Sequence, residues 1–266
     1  MDTQSLTLPD YVPGHQLLDG RSVLITAAAG AGIGFAAAKK ALEEGAACVV
    51  ISDIHEGRLA QAVEALRAIS AASVTVAGVI ANVTDERAVQ HLVDEAERIS
   101  GGINVLINNA GLGGTSSLLD MTDDAWAQVM DVTLTGTMRM TRAMLGRMRT
   151  REKGVIVNNA SVLGWRAQRE QSHYAAAKAG VMALTRCAAL EAAEFGVRIN
   201  AVAPSIALHD FLRKTTPEAL LAELASREAF GRAAEVWEVA NVMMFLASDY
   251  ASYMTGEVIS VSSQHP

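Results

Sequence analysis

A chain of 266 residues, half of them hydrophobic and 5% aromatic, suits one α/β domain with an ample core and leaves no length for a second. A formal charge of −7 without any Lys/Arg cluster excludes nucleic acid as a partner. Cys48 and Cys187 stand apart from each other and from any C-x-x-C or Cys/His spacing, so buried thiols in a reducing compartment, the cytoplasm, are expected, and no metal site.

Residues 1–19 lack the basic and apolar regions of a secretory signal and are expected to form an N-terminal arm on the surface, with the domain running over 20–266. The uncharged run Ser22 to Ala38 is broken by glycines, β-rich in its first part and helical in its second. It therefore reads as strand, turn and helix, not as a membrane span of about 20 apolar residues. Ser22 to Asp53 is then a βαβ unit whose helix runs to Glu44 and stops at Gly45. Glycines in its turn let backbone N–H groups approach a pyrophosphate at the helix N-terminus, where the dipole favours anions. Asp53 closes the second strand, 19 residues after Gly34. A carboxylate there can accept both hydroxyls of a ribose and repel a 2′-phosphate, or it can cap the helix that follows. Neither Arg nor Lys stands at Ala31 or Ile54 to favour the phosphate.

A helix from Glu56 to Ser70 leads to a third strand ending at Asn82-Val83, and a helix from Asp85 to Ser100 carries Val89, Leu92, Val93 and Ala96 at core spacing. Ile103 to Gly111 reads as a fourth strand running into Asn108-Asn109-Ala110-Gly111. A methionine-rich helix is expected from Asp123 to Met148, its Met130, Met138, Met140, Met144 and Met148 serving the core or a subunit interface.

Gly154 to Gly180 reads as an apolar strand, a polar turn and a small-residue helix. Tyr174 and Lys178 are four apart and share a helix face, and Ser161 ends the strand thirteen residues before Tyr174. A phenol titrates near pKa ~10, and a cation held within about 4–6 Å favours its phenolate, which would bring Tyr174 into range as a general acid/base. A hydroxyl at Ser161 could fix a carbonyl or alkoxide oxygen against it.

The Ser-Tyr-Lys spacing, the flanking A-A-A-K-A-G and the glycine turn upstream together resemble the short-chain dehydrogenase/reductase family, in its single-domain branch, over roughly Leu18 to Val261. The resemblance implies a doubly wound, seven-stranded parallel sheet of order 3-2-1-4-5-6-7 with the site at the C-terminal strand ends. It implies hydride transfer between a nicotinamide cofactor, NAD before NADP, and a secondary alcohol or ketone, with Tyr174 as acid/base, Lys178 lowering its pKa and Ser161 holding the substrate oxygen. For the cofactor it implies contacts from Ala28, Gly30, Ala31, Gly32, Ile33 and Gly34, from Asp53 and Ile54, from Asn82 and Val83, and from Asn109, Ala110 and Gly111. Tyr174 and Lys178 at the ribose, and Pro204 and Ala207 over the nicotinamide, complete that set. The family pattern T-G-x-x-x-G-x-G, aligned on Gly32-Ile33-Gly34, puts its Thr on Ala27 and its first Gly on Ala28; Thr26 matches only if the loop carries one extra residue. Thr133 stands where the family has a fourth catalytic residue, an Asn that holds a proton-relay water, and a hydroxyl there could hold a water too. Ser205 and His209 replace the Gly and Thr of P-G-x-x-x-T. A lid is expected over about 207–230, and a homo-oligomer, tetramer or dimer, through the Met helix and Ala175, Ala176, Ala179 and Ala183.

Trp165, Arg166, Arg169 and His209, with Arg213 and Lys214 in the lid, are read as substrate contacts: guanidinium forks for an anionic group and an indole against a ring. NNASVLGWRAQ, SHYAAAKAGVMALTR and GEVISVSSQHP resemble an actinobacterial subgroup that degrades steroid-ring, hexahydroindane-propanoate CoA thioesters. A 3-oxoacyl thioester reductase and a catalytically idle dinucleotide sensor are the rival readings.

Overall fold

The computed structural model describes residues 8–209, 212–213 and 218–263. Apolar strand runs alternate with helices down the chain, so the strands must be parallel and covered on both faces. Strands β1 (Ser22–Thr26), β2 (Cys48–Asp53), β3 (Thr75–Ile80), β4 (Val105–Asn108), β5 (Gly154–Asn159) and β6 (Val197–Pro204) alternate with helices α1 (Ile33–Glu43), α2 (Glu56–Ile69), α3 (Glu86–Ser100), α4 (Asp123–Met130), α5 (Gly136–Arg151) and α6 (Ser172–Ala193). After β6 come β7 (Ala207–Leu208), α7 (Glu218–Ser226), β8 (Ala234–Glu235), α8 (Val236–Ala247) and β9 (Val258–Val261). The seven-stranded parallel sheet has the order β3-β2-β1-β4-β5-β6-β9. This is the expected topology, the outermost strand being the ninth in the chain because β7 and β8 form a short parallel ladder of their own.

Alternation along β1 sorts the core. Val23 and Ile25 join the cluster built with α1, α2 and α8, while Leu24 points the other way into the cluster of α3, α5 and α6. Truncating a wholly buried side chain such as Leu24 or Leu92 to Ala would cost about 2–5 kcal/mol. Met140, Met144 and Met148, one helical turn apart, are fully buried under the sheet and Met130 and Met138 only half so, which makes the stripe chiefly core. Gly45, at φ +86°, ends α1 as expected, and the Asp85 carboxylate caps α3 by accepting from the N–H groups of Arg87 and Ala88.

Three expectations need correction. The Met helix is not one α-helix: α4 and α5 are joined by a π-helical turn, Asp131–Thr135, where an extra residue widens the coil and turns Thr133 into the core. The arm, described from residue 8, does not merely lie on the surface. Leu18 is fully buried, and Glu44, itself buried, accepts hydrogen bonds from the N–H groups of His15 (2.7 Å) and Leu17 (3.1 Å). Of the two thiols only Cys48 is buried; Cys187 lies on the outer face of α6. Of the span expected as a lid, Lys214 lies outside the described residues. No described helix is long and apolar enough to cross a membrane, and no described cluster of three His, Cys, Asp or Glu could hold a metal ion.

Candidate active site

The C-terminal strand ends carry the polar side chains, and an open groove of about 720 Å³ lined by Arg21, Asn104, Lys153 and Arg198 lies at the opposite ends. β5 ends at Asn159 and the chain continues extended to Ser161, whose hydroxyl accepts from the Leu163 N–H (3.2 Å) and caps a single 3-10 turn. α6 then presents Tyr174 and Lys178 one turn apart. Lys178 is buried, its ammonium 5.5 Å from the centre of the Tyr174 ring and donating to the Asn159 carbonyl at 2.5 Å. Burial lowers Lys178 to about 8. Tyr174 behaves opposite to expectation: burial of its hydroxyl pushes it up to about 12, and the downward pull comes from the Ser161 hydroxyl. The ammonium points past the phenol to a carbonyl and is itself easily discharged. The Tyr174 residue as a whole is half-buried.

Thr133 reaches the same place from the π turn. A Cβ built on Gly111 would lie 3.5 Å from the Lys178 ammonium and 3.8 Å from the Thr133 hydroxyl. That hydroxyl donates to the Leu112 carbonyl (3.1 Å) and accepts from the Leu112 N–H (3.0 Å). Its one proton is thus committed to the backbone after Gly111, which leaves the hydroxyl one further lone pair as an acceptor.

Facing this corner is the glycine turn between β1 and α1. Thr26 to Gly34 spans nine positions against the eight of T-G-x-x-x-G-x-G, and the structure resolves the alignment in favour of Thr26 with one inserted residue. The Thr26 hydroxyl accepts from the N–H groups of both Asn109 and Ala110, each at 3.0 Å, and so ties β1 to the turn after β4. The strained residue is Ala27, exposed at φ +50°, rather than Ala28, which is buried with its N–H on the Ser52 carbonyl. Gly30, at φ +138°, takes the conformation that only glycine adopts easily. A Cβ on Gly34 would stand 2.5 Å from both the Ala27 carbonyl oxygen and Asn109 Nδ2, so this glycine sets the helix close against the strand ends. Gly32 caps α1 without a side chain, which leaves the first N–H groups of the helix facing the cleft beside exposed Ala31 and half-buried Ile33. These features fit a pyrophosphate-bearing cofactor.

Asp53 closes β2 nearly buried and binds the turn: its carboxylate accepts from the Ala29 N–H (3.3 Å) and the His55 N–H (3.1 Å). Burial raises its pKa, with the Ala29 N–H, the Arg58 guanidinium at 3.8 Å and the Ile54 N–H pulling it back. It does not bond the interior N–H groups of α2, which begins at Glu56 after His55 as its N-cap, with no side-chain cap. Arg58, four residues past the exposed Ile54, escaped the sequence reading, which looked for a cation only at Ala31 and Ile54. Asn82 is exposed, its Oδ1 on the Thr84 N–H, and Val83 is buried beneath Gly136. Pro204 ends β6 and Ala207 is buried in β7.

The substrate candidates are spread out. Trp165 and Arg169 are exposed and His209 is half-buried, its Nδ1 accepting from the Leu212 N–H (3.3 Å). Arg166 is half-buried and its guanidinium donates to the Ser262 hydroxyl just past β9 (3.5 Å). A wall the sequence reading missed is the loop after Gly111. Gly113 lies against the Tyr174 ring and Gly114 against His173, while Gln171 donates to the Gly114 carbonyl (2.8 Å) and the Ser116 N–H to the Glu170 carbonyl (3.1 Å). The glycine run Gly111-Leu112-Gly113-Gly114 was its signal.

Residues 27–263 match the family described as enoyl-(acyl carrier protein) reductase. The chain is 60% identical over 259 residues, 97% of its length and 98% of the relative's, to a (5R,7aS)-5-hydroxy-7a-methyl-1-oxo-2,3,5,6,7,7a-hexahydro-1H-indene-carboxyl-CoA reductase of Mycobacterium tuberculosis. It is 40% identical over 240 residues, 90% of its length and 94% of the relative's, to a cis-4-hydroxycyclohexanecarboxylate dehydrogenase of Sinomonas cyclohexanicum. The crystal structure of a short chain dehydrogenase from Mycobacterium smegmatis superimposes with a TM-score of 0.87 at 55% identity, covering 98% of this chain and 99% of that one. With fold, strand order and near full-length identity in agreement, the chain is an oxidoreductase of the short-chain dehydrogenase/reductase family, whose members use a nicotinamide cofactor.

Proposed function

We propose that the protein interconverts a ring ketone and a secondary alcohol on an alicyclic CoA thioester, with Ser161, Tyr174 and Lys178 as its catalytic set and NAD(H) as its preferred cofactor. The observation that carries this reading is the convergence of those three side chains, beside the glycine turn, in a chain so similar to a reductase of a bicyclic CoA thioester.

The nicotinamide, when bound, supplies or accepts the hydride. The Tyr174 hydroxyl gives its proton to the substrate oxygen in reduction and takes it back in oxidation, while Ser161 holds that oxygen in place. Lys178 stabilises the phenolate and returns a proton to it. Asp53 accepts from the adenosine ribose hydroxyls and repels a 2′-phosphate, and the turn from Ala28 to Gly34 and the stretch from Asn109 to Gly111 line the cofactor's path. Trp165 and Arg169 stand exposed by the entrance for the ring and the anionic end of the substrate; Arg166 is the weaker candidate because it engages Ser262. The outer face of α6, with exposed Ala183, Cys187 and Leu190, suits packing against another subunit in a dimer or tetramer, and the free thiols suit the cytoplasm.

The test is NAD(H)-linked turnover of ring-hydroxylated and ring-keto alicyclic CoA thioesters against acetoacetyl-CoA. Higher kcat/KM for the alicyclic thioesters is expected. A preference for acetoacetyl-CoA with NADPH would make the protein a 3-oxoacyl reductase, and tight cofactor binding without any turnover would make it a sensor.

A further inference from the structure

Asn159, the last residue of β5, joins the two halves of the site. Its carbonyl takes the Lys178 ammonium, and its side chain meets Asn109, which lies beneath the glycine turn. The orientation of both amides follows from their partners. Asn109 Nδ2 contacts two carbonyl oxygens, of Thr26 (3.3 Å) and Ala27 (3.0 Å), which accept and cannot donate, so this end of the amide must be the NH2. Asn109 Oδ1 therefore faces Asn159 and receives its Nδ2 at 2.9 Å. Asn159 Oδ1 is left buried without a donor. A buried amide oxygen without a donor costs the folded chain its desolvation, and the expected remedy is a donor that arrives later. Asn108 Oδ1, also unpartnered, differs: it lies in the core, where the Asn108 amide donates to Thr141 and Asn158. Asn159 is only half-buried, at the strand end where the cleft opens.

We infer that Asn159 is a cofactor-binding residue whose Oδ1 accepts a hydrogen bond from an O–H or N–H of the nicotinamide-nucleoside half of the cofactor. This rests on the reading that the cleft takes a nicotinamide dinucleotide. The nucleoside half offers ribose hydroxyls and a carboxamide NH2. The adenosine half belongs at Asp53, on β2, with β1 and β4 between it and β5 in the sheet.

The experiment replaces Asn159 by Leu, of similar shape and without an acceptor, and by Ala in case Leu does not fold. Dissociation constants for NADH, nicotinamide mononucleotide and 5′-AMP are measured by calorimetry, with the melting temperature of the ligand-free protein. Expected are a roughly ten-fold rise in Kd for NADH and the mononucleotide and an unchanged Kd for 5′-AMP, while the ligand-free melting temperature falls by a few degrees because Asn109 Oδ1 loses the Asn159 amide as its donor. An NADH affinity within two-fold of wild type would overturn the inference, as would equal losses for 5′-AMP and NADH, the mark of a mere brace. If wild type binds NADH in neither half, competing with neither 5′-AMP nor the mononucleotide, the dinucleotide reading itself falls and takes the inference with it.

Discussion

The Ser161-Tyr174-Lys178 corner and the β1–α1 glycine turn face each other across the cleft and are built in opposite ways. The corner stands on regular structure: a strand end, a 3-10 turn and a 22-residue helix whose period brings Tyr174 and Lys178 to one face. The turn stands on irregular backbone, with Ala27 at φ +50°, Gly30 at φ +138° and an inserted residue, held in shape by remote groups: the Asn109 amide, the Thr26 hydroxyl and the Asp53 carboxylate. Regular structure places chemistry through local periodicity and tolerates little change of residue type. An irregular turn keeps its geometry while its letters drift, because the constraints come from other strands.

Breaking the corner should have the largest effect. Tyr174→Phe is expected to lower kcat by about 10²–10⁴-fold or more while NADH affinity survives, as steady-state kinetics and calorimetry would show; a variant retaining a tenth of the activity would remove Tyr174 from the chemistry. Breaking the turn comes next. Gly34→Ala drives a methyl group into backbone and the Asn109 amide at 2.5 Å, and should cost about 1–3 kcal/mol of stability along with cofactor affinity, read by thermal melts with and without NADH.

The corner can also be titrated. Since burial places Lys178 near 8, its ammonium is present below that pH and lost above it, while Tyr174, near 12, keeps its proton throughout. The rate of ketone reduction should fall as pH rises through about 8, and Lys178→Arg, charged at any working pH, should remove that limb from the pH–rate profile even if the maximum drops.

At the ribose end of the turn, Asp53→Ala should narrow the NADH-to-NADPH ratio of kcat/KM by about ten-fold, and Arg58→Ala should widen it more modestly, because the two charges act in opposite senses on a 2′-phosphate. An unchanged ratio in both variants would leave Asp53 as a brace for Ala29 and His55 alone. The smallest effect sharpens the contrast: Ala27→Gly relieves a left-handed alanine but loosens the unfolded chain, for a net gain of about 0.5 kcal/mol, a degree or two of melting temperature.

Whatever depends on local spacing was legible in the residues themselves. The alternation of apolar runs with helical ones predicts the parallel sheet, whose order the family resemblance implies, Gly45 predicts the end of α1, and the i, i+4 spacing puts Tyr174 and Lys178 together. What joins residues distant in the chain was not. That Thr26 is the turn's threonine is decided by Asn109 and Ala110, more than eighty positions away. Arg58 reaches Asp53 only because α2 begins where it does, and Thr133 spends its proton on Leu112 only because α4 and α5 are joined by a π turn. The phenol's rise in pKa comes from burial, which no spacing reveals, and the Asn109–Asn159 pair exists because β4 and β5 are neighbours in the sheet. Periodicity is a property of one segment, whereas hydrogen bonds between strand ends and the desolvation of a side chain are properties of the packed whole, so only the tertiary structure could decide them.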